Sequence, residues 1–189
     1  MELRGHKKLS TTESYVLVGV LAAGACAPYT VVQRTEPSAL LGARRVVVDS
    51  DWSQVDIAGA GQPAVYAEIQ ARTEAAIVKV LQRRIGDAYA VVAGGAAGPG
   101  DLRLVVRPVA VKLAVVVQQA GPMKLVHLDA RLEWMRGDEV TDVIDAHTTV
   151  GSQWPVGASP WRLDAYVMSL AGRNVGAAAA RYFTRAQAQ

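Results

Sequence analysis

The chain has 189 residues, of which 51% are hydrophobic, 6% aromatic and 20% charged. That is enough apolar material for one packed core, so a wholly disordered chain is excluded, and alanine, valine and glycine must fill most of that core. The formal charge is +3, with no Lys/Arg run and no basic stripe interleaved with aromatics, so no nucleic-acid partner is expected.

Residues 1–14 are polar and include Arg4, Lys7 and Lys8. An apolar run of 11 residues, Tyr15 to Ala25 (YVLVGVLAAGA), ends at Cys26, the one cysteine of the chain. A basic start, a short apolar middle and small residues at the end describe a secretory signal peptide. The run is too short to span a bilayer, which takes roughly 20 apolar residues, and Pro28 stops a helix. A lone cysteine in an exported chain has no internal disulfide to form. Ala23-Gly24-Ala25-Cys26, with Leu21 upstream, resembles a lipobox. The resemblance implies cleavage before Cys26, a thioether-linked lipid on its sulfur and acylation of the new amino terminus. Two acyl chains already hold a protein firmly on a membrane. The resemblance to envelope lipoproteins, with alanine rather than aspartate at position 27, further implies the outer membrane, with the domain facing the periplasm. An ordinary cleaved signal peptide is the first alternative; an uncleaved anchor, or a cytosolic chain with an apolar start, is the other. Removing residues 1–25 takes away three basic residues (Arg4, Lys7, Lys8) and two acids (Glu2, Glu13), which leaves a charge of +2.

Residues 26–43, with Pro28, Pro37 and Gly42, read as a tether, and residues 44–189 as a single domain. Arg45 to Ser50 (RVVVDS) is a β-branched strand, and Trp52 plugs the loop after it. Gln62 to Ile85 is a helix whose Tyr66, Ile69, Thr73, Ile77, Val80 and Leu81 form one apolar stripe, with Pro63 in its first turn and Gly86 at its stop. Ala88 to Ala93 is a strand, Gly94 to Gly100 a hairpin loop, and Leu102 to Val117 a long strand in which Pro108 marks a bulge or an edge. From Lys124 to Trp134 apolar and polar residues alternate, Gly137-Asp138 turns the chain, and Val140 to Val150 returns as the second strand of a hairpin with one buried face. Ser159-Pro160 reads as an N-cap followed by proline at the first position of a second helix, which runs to about Arg185. Its Gly172, Gly176 and Ala180 let something approach closely, either the sheet or a neighbouring subunit. The economical fold is α+β: a mostly antiparallel sheet of about five strands with two long helices packed on one face.

The RVVVD strand, the long helix after it, the hairpin LDARLEWMRGDEVTDVIDAHTTV and the segment SQWPVGASPWRLDAYV carry a further resemblance. Together they look like a family of uncharacterised bacterial envelope lipoproteins. They are also similar to the α/β domain of the curli-secretion lipoprotein and to the amino-terminal domain of the Tol-system propeller protein. The resemblance spans most of residues 44–185 and implies an accessory or assembly role at the envelope. It transfers no active-site residue.

Catalytic motifs are absent from the sequence, which has neither G-x-S-x-G nor H-E-x-x-H, so no enzyme is expected. Gly59-Ala60-Gly61-Gln62-Pro63-Ala64 fits G-x-G-x-x-A, but positions 79–85 lack the acid that would grip a ribose, so no dinucleotide and no other cofactor is expected. The loop 94–100 lacks the Gly-Lys-Ser/Thr of a phosphate cradle. The polar hairpin face is the chemically interesting place. His127 and Asp129 lie two apart on one strand, and Asp145 and His147 two apart on the other. With Trp134 opposite Val140, His127 faces His147, Asp129 faces Asp145, and the four can ligate a metal ion. With Trp134 opposite Asp142, Asp129 meets His147 and Arg131 meets Asp145 as cross-strand ion pairs. The second register avoids like charges in opposition and is the expected one. Trp154 and Trp161 read as core or edge packing, or as a partner-facing surface. The expected partners are the membrane, through its lipid, other envelope proteins, and further copies in a homo-oligomer.

Overall fold

A computed structural model of the protein describes residues 28–36, 38–55, 63–119, 121–153 and 160–188; the side chains at 63, 64, 118, 160 and 161 lie outside this description. Eight elements follow one another: β1 (Tyr29–Gln33), β2 (Arg45–Ser50), α1 (Pro63–Ile85), β3 (Ala90–Ala93), β4 (Leu102–Gln118), β5 (Gly121–Arg136), β6 (Glu139–Gln153) and α2 (Pro160–Gln187). The strands form one sheet in the order β1-β6-β5-β4-β2-β3.

The long antiparallel ribbon β4-β5-β6 follows from the alternating sequence. Val126, Leu128, Ala130, Leu132 and Trp134 are buried on one side of β5, as period-two alternation requires. Gly137 sits at φ +60 in the turn between β5 and β6, a conformation that glycine adopts without steric cost. The pairing of β4 with β5 slips between Pro108 and Ala110, the bulge that a proline without an N–H imposes.

Three features depart from the expected mostly antiparallel five-stranded sheet. First, β2 is parallel to both of its neighbours, β3 and β4. The 23-residue helix α1 carries the chain about 35 Å back along β2, so β3 starts where β2 started and must run the same way. Second, Gly94–Gly100 is not a hairpin loop. Because β3 and β4 flank β2 and both run with it, this segment crosses β2. The Arg45–Asp101 pair, 3.4 Å long, closes the crossing on the side away from the helices. Val47, on that side, is thereby fully buried. Third, the region read as a tether holds a strand. β1 pairs with β6 from Tyr29↔Ala146 to Gln33↔Val143. Its side chains are mostly exposed, so no alternation marks it in the sequence.

Both helices cover one face of the sheet, α1 over β2 and β3, α2 over β5 and β6. They run parallel to each other, and their seam is made of small residues. A Cβ on Gly172 would lie 2.6 Å from the carbonyl oxygen of Thr73, and one on Gly176 2.9 Å from that of Ile77. The close approach expected of Gly172, Gly176 and Ala180 is therefore made by α1, rather than by the sheet or a second subunit. Beneath the seam, Trp134 packs on Phe183 with ring centroids 5.3 Å apart, and Tyr89 meets Phe183 edge-on at 4.8 Å. Trp52 is buried, as its plugging role requires. Lys124 shares the inward side of β5, where its Nζ lies 2.7 Å from Oδ1 of Asp164 and ties the sheet to the start of α2.

Candidate functional site

The turn and a bulge together decide which side chains reach the polar face. A two-residue turn at Gly137-Asp138 pairs Arg136 with Glu139 and Met135 with Val140. Continued unchanged, that register would pair Asp129 with Ala146, turning Asp145 and His147 into the core. The register instead shifts between Trp134 and Met135, leaving Thr141 over as the extra residue. Thr141 is buried and donates its hydroxyl proton to the Trp134 carbonyl at 3.1 Å. The shift returns Asp145 and His147 to the outer face, with Trp134 opposite Asp142, Asp129 opposite His147 and Arg131 opposite Asp145. This is the register favoured by charge.

Around these residues lies a ladder of ion pairs. Arg131 grips Asp145 with two hydrogen bonds, Nε to Oδ1 at 2.9 Å and Nη2 to Oδ2 at 3.1 Å. Arg107 of β4 donates to Glu133 at 2.9 Å and also pairs with Asp51. Arg103 pairs with Asp49. Val105 stands between Arg103 and Arg107 on the same face and is buried. The carboxyl of Asp51 is held below its usual range by the hydroxyl and backbone N–H of Ser53, with Arg107 adding to the effect. The Asp49, Asp51, Arg103 and Arg107 part of the ladder was not read from the sequence. Its signal was there in the alternation of Leu102, Leu104 and Val106 with Arg103 and Arg107, but its partners lie about 55 residues away, on β2 and just past its end.

At the other end of the ladder, Asp129 sits between two imidazoles. His147 Nδ1 lies 2.8 Å from Oδ1, and His127 Nε2 3.2 Å from Oδ2. A carboxylate only accepts, so both rings donate to it, and the His127 ring meets the Thr149 hydroxyl through Nδ1 at 2.9 Å. Partial burial pushes the Asp129 carboxyl up, but the bond from His147 and the charge and bond of His127 outweigh it, and the group titrates below the usual carboxylate range. Of the four residues considered as metal ligands, the structure thus brings His127, Asp129 and His147 together, while Arg131 holds Asp145. Among the described residues no three His, Cys, Asp or Glu side chains converge in a way that would hold an ion.

A depressed carboxyl stabilises the fold above its unfolded pKa of about 3.9 and loses that contribution as pH falls through the lower folded value. Asp129→Asn is therefore expected to destabilise the domain at neutral pH. The gap to the unchanged protein should close below about pH 4. Urea unfolding at both pH values checks this; a gap that widens in acid contradicts it.

Cys26, Trp154, Ser159 and the G-x-G segment at Gly59–Gln62 lie outside the described residues, as does the side chain of Trp161. The chain matches no protein-family model and no curated protein. Among solved structures it is similar to a Xanthomonas campestris protein of the DUF330 family, at 12% identity over 85% of this chain and 94% of that one, TM-score 0.46. It is also similar to the PelC dodecamer of Paraburkholderia phytofirmans (12%, 79% and 97%, TM-score 0.42). A third is a minor lipoprotein of Acinetobacter baumannii (6%, 75% and 91%, TM-score 0.38). Proteins named as lipoproteins are thus among its structural neighbours, but likeness at this level transfers neither activity nor partner.

Proposed function

We propose that this chain is an envelope lipoprotein, held by lipid on Cys26 at the periplasmic face of the outer membrane, where it acts as a non-catalytic accessory or assembly component. The observation that carries this reading is the distance between the cysteine and the fold. Cys26 closes an 11-residue apolar run, and Tyr29, three residues on, is already paired into the sheet. Three residues span at most about 11 Å, so a lipid on Cys26 would seat the domain directly on the bilayer. The narrower kinship with the curli-secretion lipoprotein and the Tol-system propeller protein belongs to this same proposal.

Intact mass of the protein from its native host tests the anchor. The expected species begins at Cys26 and carries acyl mass, and Cys26→Ser abolishes palmitate incorporation. A full-length, unmodified polypeptide in the cytosol would overturn the reading. Sedimentation of separated membranes should place the protein in the outer-membrane fraction.

The partner surface in this reading is the open edge of β4. β2 pairs with β4 only as far as Val106, and among the described residues nothing pairs with that edge from Arg107 to Gln118. It exposes Val109, Val115 and Val117, the last at 81%. An unpaired, valine-rich strand is a template for β-pairing with another chain, and a second copy is the occupant proposed. Light scattering on size-separated protein should show an oligomer, and Val115→Lys with Val117→Lys should give the monomer. A monomeric unchanged protein sinks this part alone. A ligand or metal role for the polar hairpin face has less behind it, because its carboxylates already have cationic or imidazole partners.

A further inference from the structure

The two faces of the domain use their charges differently. On the sheet face arginines and carboxylates pair off. The helices carry three carboxylates, and all three are occupied: Glu68 by Arg72 at 2.6 Å, Glu74 by the Ser50 hydroxyl at 2.6 Å, and Asp164 by Lys124 at 2.7 Å. The remaining helix cations include Lys79 and Arg84 on α1 and Arg173 and Arg185 on α2, all exposed and none of them in an ion pair among the described residues. Arg84, Arg181 and Arg185, with Ala180 and Thr184, line a cleft of about 290 Å³ between the ends of the helices. The helix layer is thus a basic surface, and its counter-charge is not on the helices.

The position of this surface relative to the anchor identifies what covers it. Arg185 Nη1 donates to the Tyr29 hydroxyl at 3.0 Å, and the guanidinium carbons of Arg181 and Arg185 lie 5.8 and 5.9 Å from the centre of the Tyr29 ring. Tyr29 is fixed in the sheet three residues after Cys26. With acyl chains on Cys26 buried in the bilayer, Tyr29 lies at headgroup depth, and the arginines touching it lie there too.

We propose that the outer surface of the helix layer, with Arg84, Arg173 and Arg185 as its exposed cations, rests on anionic phospholipid headgroups and so fixes the domain's orientation on the membrane. The proposal rests on the lipid-anchor reading and goes beyond it. The sheet's polar face and the open β4 edge are then left free for protein partners. Cations near an anionic leaflet are drawn to it within a Debye length, so the contact is sensitive to lipid charge and to salt.

The test uses the full chain purified from its host and reconstituted into nanodiscs. Thr184→Cys places a thiol in the cleft for a fluorophore, and lipid carrying a headgroup spin label reports its proximity. Quenching is expected to be at least about twofold stronger in discs containing phosphatidylglycerol than in phosphatidylcholine alone, and to fall to the phosphatidylcholine level at 1 M salt. Arg84→Glu combined with Arg173→Glu and Arg185→Glu should abolish the difference. A fluorophore at Thr149→Cys, on the sheet face, should be quenched weakly in both. The number of labels separates the two readings, because a lipidated Cys26 offers no thiol. One label per chain with quenching independent of lipid charge, or unchanged in the triple variant, overturns the orientation alone. Two labels per chain overturn the anchor and this inference together.

Discussion

Trp134→Ala is expected to lower the unfolding free energy by about 3–5 kcal/mol, the range for emptying a buried aromatic site. Trp134 has no exposed surface, and its ring joins β5 to Phe183 of α2, which in turn meets Tyr89 beyond the end of α1. Its removal therefore opens the junction of the sheet with α2, where relaxation by either element breaks contact with the other. Trp134→Phe should cost much less. The indole Nε1 is buried without a hydrogen-bond partner among the described residues, and an unsatisfied buried donor costs about 1–3 kcal/mol. Losing it offsets part of the lost volume. Guanidinium unfolding of the three proteins checks the order; a loss below about 1 kcal/mol for alanine would place Trp134 outside the core.

The second expectation opposes helix propensity. Alanine is about 1 kcal/mol better than glycine inside a helix, so Gly172→Ala would stabilise a free-standing α2. Here the new methyl would meet the Thr73 carbonyl oxygen at 2.6 Å and Thr73 Cγ2 at 3.1 Å. The nearer atom is backbone in the middle of α1, so the helices must part, and overpacking of this kind costs about 1–3 kcal/mol. A net loss is expected, larger for Gly172→Leu, with the oligomeric state unchanged. A stabilising Gly172→Ala would show that the helices do not meet here. A variant of unchanged stability but altered assembly would return the seam to a subunit contact.

The outward-facing charges illustrate how far local pattern reaches. The alternation of Val126 to Trp134 with His127 to Glu133 marks a two-sided hairpin, and the opposition of unlike charges selects its register without reference to any other part of the chain. Pro108 announces its own bulge, because the missing N–H acts where the residue stands. The stripe of α1 is legible for the same reason: every signal lies within one or two turns of the residues it concerns.

What the sequence by itself determined is therefore every element but β1, and the buried side of the hairpin strands and of α1. The tertiary structure decided how distant elements share a surface. Only in the fold does β1, with no apolar side of its own, take the edge of β6, and only there does the crossing over β2 bury Val47. The glycines of α2 find Thr73 and Ile77, about 99 residues away. The basic surface has the same origin. A charge of +3 spread over the chain shows no stripe, but two parallel helices bring Arg84 beside Arg181 and Arg185, while the three helix carboxylates already have partners. Charge is summed along a sequence but felt across space, and packing sets which charges are close enough to act together.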